Sequence, residues 1–192
     1  MNKISKTLII IGILLILSSV LLFVYYKYED NIAGENAAKT LTLIKESINT
    51  SLENTSDDEM LTLNVNGHDY IGTILIPTLN LELPVMSYCD YERLKVSPCR
   101  YYGSINTDDL IICAHAYKTH FGNIQNLNSN DKIIFTDVTG KIYIYEVLEI
   151  EVLSPKDVSL MINNDFDLTL YTCTDDNMNR ITVRCNKISE QL

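Results

Sequence analysis

From Thr7 to Tyr26 the chain runs for twenty residues without a charge, TLIIIGILLILSSVLLFVYY. No other feature restricts the fold as much. A helix of that length rises ~30 Å, the thickness of a bilayer's hydrocarbon core. Lys3 and Lys6 precede the run, and Asp30 and Glu35 lie past it, beyond Lys27. The positive-inside tendency therefore predicts a cytoplasmic N-terminus (1–6) and an extracellular C-terminal part. A cleaved signal peptide has an apolar core of ~7–15 residues and a small-residue cleavage site. The exit here is Tyr-Tyr-Lys-Tyr-Glu-Asp, and the chain has no second apolar run of spanning length. The expectation is a single uncleaved anchor at 7–26, placing the protein in the cell membrane with its C-terminal domain outside.

Composition restricts the part of the chain beyond the anchor. The 192 residues allow one compact domain plus an appendage. Twenty-five acidic against 15 basic residues give a net charge of −10, which argues against a nucleic-acid binder. Five cysteines are too few for a disulfide scaffold of this length. Residues 27–66 read as an extracellular stalk. Leu41, Ile44, Ile48 and Leu52 have helical spacing, and NTSDDE (54–59) has the character of a linker. Asn49 and Asn54 each open a short glycosylation-type match, read here as ordinary polar sites.

From Gly67 the apolar period becomes two, the period of strands. Tyr70–Ile76 ends at Pro77, and Leu79, Leu81 and Leu83 alternate with polar residues up to Pro84. Leu110–Ala114 is a short apolar run. Lys132–Thr136 and Lys141–Leu153 flank the turn Asp137-Val-Thr-Gly140, and Leu168–Thr172 and Arg180–Cys185 complete the set. Strands dominate, so residues 67–192 are expected to form an all-β domain with short helices, a small barrel or sandwich.

Three residues at the ends of these strands carry reactive groups. His115 comes directly after Leu110–Ala114, Cys173 ends Thr169–Cys173, and Arg180 opens the last strand. A thiolate is a nucleophile and a neighbouring imidazole carries its proton. A guanidinium offers a fixed cation and a fork of N–H donors for a developing oxyanion. Arg184 is a rival for that role, because residues 180, 182 and 184 of a strand share one face.

The words around these residues resemble sortases, the surface transpeptidases of Gram-positive bacteria. Thr-Leu-Tyr-Thr-Cys (169–173) fits their TLxTC signature, and Arg180 stands seven residues beyond Cys173. Ala114-His115-Ala-Tyr-Lys-Thr-His-Phe-Gly122 is similar to the loop that holds their histidine. Tyr70–Pro77 with Leu83-Pro-Val85 is similar to their first strand pair, and Asp137–Gly140 with Tyr143 to their next hairpin. Ala114 and Ala116 depart from the Gly and Asn frequent there, but neither change removes a catalytic group.

The resemblance implies an eight-stranded sortase β-barrel and a reaction needing no metal or organic cofactor. Cys173 would attack the Thr carbonyl of an LPXTG-like sorting signal on a surface protein. A peptidoglycan precursor or other amine would then release the thioacyl enzyme. His115 would move the protons and Arg180 would stabilise the oxyanion, with Thr172 and Ala114 touching substrate. The His loop is similar to those of classes B and D, which leaves the subclass open. A pilin-polymerising sortase usually carries an Asp-Pro lid and a C-terminal membrane helix. Residues 29–69 contain no Pro, so that form is the alternative rather than the expectation.

Other readings fit less well. Papain-like peptidases place Cys ahead of His, whereas His115 precedes Cys173 here. Cys113, His115 and His120 lack the paired spacing of a zinc site, and a fourth ligand is unassigned. A non-catalytic membrane-anchored binding module would bury Cys173 as an inert thiol. Cys89 and Cys99 flank nine residues and could close a surface disulfide, while Cys113 and Cys185 should pack in the core. His68 is expected to be exposed, and His120 to serve the loop structurally.

Overall fold

The computed structural model describes residues 3–48, 60–163 and 165–191, with side chains from Thr7 onward. The chain divides into two compact units, Met1–Ile32 and Ala33–Leu192. A long helix, α1 (Lys3–Ile48), begins in the first and ends in the second. Over residues 7–26 α1 carries no charge on any side and leaves Leu8, Leu15, Leu21 and Phe23 exposed. A helix of a water-soluble domain buries one stripe; one that is apolar all round suits lipid. It is the one helix, among the described residues, long and apolar enough to cross a membrane.

In the second unit, the remainder of α1 does not behave as a free stalk. Ala33, Ala37 and Ile44 lie on one face and are 2%, 1% and 0% exposed. Ile44 packs with Tyr70, Met86, Cys99 and Cys113. Gly34 lies so close to Thr119 that an added Cβ would stand 2.8 Å from its methyl carbon. Lys45 Nζ meets Glu82 Oε1 at 2.6 Å. The docking face combines small residues with one isoleucine, so it shows only partly in the apolar periodicity of Leu41, Ile44 and Ile48. Leu52, Asn49, Asn54 and the acidic stretch 54–59 lie outside the described residues.

The strands form one sheet. They are β1 (Leu63–Val65), β2 (His68–Ile76), β3 (Leu81–Met86), β4 (Cys99–Tyr102), β5 (Leu110–Cys113), β6 (Lys132–Asp137), β7 (Ile142–Leu153), β8 (Leu168–Cys173) and β9 (Arg180–Gln191). Short helices α2 (Tyr91–Leu94) and α3 (Val158–Ile162) interrupt them. The order is β1-β2-β3-β4-β5-β8-β9-β7-β6, and β6 returns to pair with β2. Eight strands therefore close a ring, and β1 adds a ninth at its edge.

The compact strand region starts at Leu63 rather than at Gly67. Leu63 pairs with Tyr70 and Val65 with His68. The two-residue turn between them is Asn66-Gly67, with φ of 53° and 83°. Positive φ at both central residues gives a turn whose twist matches the strands, and Asn-Gly adopts it at little cost. Here His68 is half-buried on β2 rather than exposed.

Period-two burial fills the ring. Ile74 and Ile76, Leu83 and Val85, Leu110 and Ile112, Ile133 and Phe135, and Leu168 and Leu170 pack into one core with Val183 and Cys185. The turn between β6 and β7 is held by Asp137, whose Oδ1 accepts from Thr139 N (2.8 Å), Thr139 Oγ1 (2.6 Å) and Lys141 N (3.0 Å).

One buried cation lies on the outer side of this core. Arg184 is 1% exposed. Its Nε donates to Glu151 Oε1 (2.7 Å), Nη1 to Thr169 Oγ1 (2.9 Å) and Nη2 to Leu160 O (2.8 Å). Its guanidinium also stacks over Phe166 at 5.4 Å. It thus fastens α3 and the 154–167 segment to β8 and β9. Arg184→Ala should destabilise the fold by about 3 kcal/mol, mainly by leaving buried acceptors without a donor. Glu151 is partly exposed and regains water, so its charge adds little. Arg184→Lys should restore only part, since an ammonium cannot fork across these acceptors. Chemical denaturation midpoints check both.

Candidate active site

The hairpin β8–β9 sets the first two groups. Cys173 closes β8 and is the register partner of Arg180, which opens β9. Thr169 with Arg184, Tyr171 with Thr182 and Cys173 with Arg180 share one face of the hairpin. The alternate pairs, Leu168 with Cys185 and Leu170 with Val183, point into the core. Cys173 is thereby kept out of the core and is half-buried.

The turn between the two strands is built from its own polar groups. Thr174 N donates to Asn179 O (3.0 Å), Asn177 N to Thr174 O (2.8 Å) and Met178 N to Asp176 Oδ1 (2.9 Å). The Thr174 hydroxyl also bonds Asp176, and that bond, ahead of the Met178 amide, lowers the Asp176 carboxyl below its ordinary range. Asn177 takes φ of 58°, a conformation asparagine tolerates. Arg180 stays half-buried, with Nη1 donating to Asn179 O at 3.0 Å. Arg184, its sequence rival, is enclosed by Glu151, Thr169, Leu160 and Phe166.

The third group arrives from β5. Cys113, the last residue of β5, is the parallel partner of Tyr171. Just beyond, Ala114 N donates to Tyr171 O (3.2 Å) and Thr172 Oγ1 donates to Ala114 O (2.9 Å). These bonds tie the residue before His115 to the residue before Cys173. Thr172 and Ala114 are 1% and 5% exposed, so their side chains offer no open surface to a ligand. What they do here is lock two strand ends in register.

Beyond that tie the chain folds into a compact loop. His120 N and Gly122 N both donate to Tyr117 O (2.9 and 2.8 Å), and Phe121 N donates to His115 O (3.3 Å). Gly122 is required by close approach: a Cβ there would lie 2.5 Å from Ala116 O and 2.7 Å from Tyr117 O. His120 is fully buried, its ring 5.5 Å from that of Tyr117. His115 is half-buried between two tyrosines. Tyr117 lies 4.9 Å away and tilted, and Tyr91 stands edge-on at 5.8 Å and 85°. Tyr101 meets Tyr171 in the same edge-on manner at 5.4 Å. Tyr117 sits inside the histidine loop and could have been singled out from sequence. Tyr91 is distant in sequence and reaches His115 only through the fold.

All five cysteines are free thiols. The Cys89–Cys99 disulfide that the spacing allowed is not formed, and the Cys89 sulfur stands 3.0 Å from that of Cys113 instead. Cys113 and Cys185 are buried in apolar surroundings, as expected of core thiols, and burial pushes the Cys185 thiol up. Among the described residues, no group of three or more His, Cys, Asp or Glu is arranged to hold a metal ion.

The sortase domain profile matches residues 74–188. Sortase A from Corynebacterium diphtheriae is 29% identical with a TM-score of 0.56, over 64% of this chain and 62% of that one. The chain thus spans less than two thirds of that relative's length. A Clostridium perfringens sortase D5 transpeptidase is 20% identical with a TM-score of 0.58, over 83% of this chain and 99% of that one. Sortase E1 from Streptomyces coelicolor, solved with a tripeptide in its active site, is 20% identical with a TM-score of 0.54, over 64% of this chain and 90% of that one. No curated protein matches the sequence. With the domain match covering more than half of its length, the chain belongs to the sortase family.

Proposed function

We propose that this sortase is a membrane-anchored cysteine transpeptidase that cleaves an LPXTG-like sorting signal between Thr and Gly. The observation that supports it most is the pairing of Cys173 with Arg180 at the mouth of one hairpin, bonded through Thr172 and Ala114 to the base of the His115 loop. The Cys173 thiolate attacks the Thr carbonyl carbon and forms a C–S bond. Arg180 donates to the oxyanion of the tetrahedral intermediate. The Thr–Gly C–N bond then breaks, and His115 gives its proton to the departing amine. An incoming amine attacks the thioester, His115 takes its proton, and a new amide leaves with the Cys173 thiolate and the protonated His115 restored.

That chemistry implies two partners. One is a surface protein bearing the signal, and the other is a cell-wall amine such as a peptidoglycan precursor. Residues 7–26 form the anchor, with the N-terminus cytoplasmic and the catalytic domain outside. Fluorogenic peptides around LPXTG, NPXTG and close variants, given to the full chain in detergent, test the reading. Cleavage between Thr and Gly that vanishes in Cys173→Ala supports it. Intact peptides across the panel, with the protein folded, overturn it and favour a binding module.

A further inference from the structure

Three sulfurs gather beside the proposed site, and that chemistry has no use for them. Cys99 on β4 and Cys113 on β5 are direct antiparallel partners. Cys89 lies in the bend after β3, and its Sγ stands 3.0 Å from Cys113 Sγ. That is only about 1 Å beyond the length of a disulfide bond. Cys99 Sγ also donates to Ser97 O at 3.4 Å. Cys113 and Cys99 are 2% and 0% exposed, whereas Cys89 is partly open to solvent. One sulfur of the close pair can therefore be reached from outside and the other cannot.

We propose that Cys89 and Cys113 form a thiol–disulfide exchange pair, with Cys89 the attacking sulfur and Cys113 the resolving one, acting on small extracellular disulfides. The roles are unequal for an electrostatic reason. Hydrogen bonds from Cys113 and then Cys99 stabilise a negative Cys89 sulfur and lower its thiol well below the ordinary range, with a smaller contribution from His115. Cys113 and Cys99 are raised instead, because they donate to Cys89 and are buried. The Cys89 thiolate attacks one sulfur of the small disulfide. That S–S bond breaks, one thiolate leaves, and a mixed disulfide remains on Cys89. Cys113 passes its proton to the leaving thiolate and attacks Cys89 Sγ, expelling the second thiolate. Two protein thiols are oxidised and one disulfide is reduced to two thiols. The bond ties the segment just before α2, which opens with Tyr91, to the end of β5, two residues before His115.

The pair does not depend on the transpeptidase reading, and its test leaves the catalytic thiol out. The full chain carrying Cys173→Ala is treated with oxidised glutathione in detergent, acid-quenched, alkylated and mapped by mass spectrometry. The expected product is a Cys89–Cys113 linked peptide that dithiothreitol reverses. Cys113→Ser should stop the reaction at a glutathione adduct on Cys89, and Cys99→Ser should leave the link intact. Without oxidant, iodoacetamide should modify Cys89 at least about tenfold faster than Cys99 or Cys113. A dominant Cys89–Cys99 link, or full alkylation of all three thiols after oxidant treatment, overturns the proposal. Because Cys113→Ser alters a buried position, Cys89→Ser at the open bend is the second variant. It should abolish both the link and the adduct, and an adduct that persists elsewhere in the cluster overturns the order of attack.

Discussion

Cys173→Ala is expected to lower peptide cleavage by roughly 10⁴-fold or more, the scale for deleting the nucleophile from a set that works as a unit. Its fold should survive, because the side chain sits outside the packed interior of the ring. Cys185, by contrast, is fully buried within it. The measurement is initial rate on the best peptide, with circular dichroism to show equal folding. Cys89 is the other partly open thiol, so residual cleavage that disappears on adding Cys89→Ala would move the nucleophile there. His115→Ala should give a loss of similar size. A rate indifferent to His115→Ala would remove the imidazole from the mechanism, while leaving the strand-end geometry in need of another proton carrier.

Much of this arrangement was legible because the signals are local. Alternation in Leu83 and Val85, in Ile133 and Phe135, and in Leu168 and Leu170 reflects one buried face, and those residues meet in the core. The apolar run 7–26 needs only length and composition. The elements that escaped have weak local signatures. β4 (Cys99–Tyr102) is four residues long and takes its identity from pairing with β5. α3 is a five-residue helix whose end carbonyls are met by Arg184, and no local pattern announces so distant a donor. The docking of α1 relies on Ala33, Gly34 and Ala37, small residues that do not read as an apolar stripe. Asn66-Gly67, in contrast, is a strong hairpin signal and would have placed the first strand correctly. For the candidate site, the strand ends pointed to Cys173, His115 and Arg180, and the fold puts Cys173 in register with Arg180. The Cys89–Cys113 approach joins positions 24 residues apart, and only the β3–β4–β5 pairing brings them together.

Arg180→Ala is expected to cost about 10²–10³ in turnover, the scale for one oxyanion donor. The two arginines of β9 make the assignment testable, since they differ in surroundings rather than in chemistry. Arg184 is held by Glu151, Thr169 and the carbonyls of Leu160 and Met161, so its loss should appear in the unfolding midpoint. Arg180 is half-buried opposite Cys173, and its hydrogen bond to Asn179 O joins neighbouring residues at the turn. Removing it should shift the midpoint little and the rate greatly. Arg180→Lys should recover only a small part of the activity, because a single ammonium does not reproduce the planar fork of donors. Most of the Arg180→Ala loss should fall on turnover, since the donor acts on charge that develops after the peptide has bound. If KM alone rises and turnover holds, Arg180 binds the peptide without acting on the oxyanion. If both are unchanged, the oxyanion donor lies elsewhere on the rim.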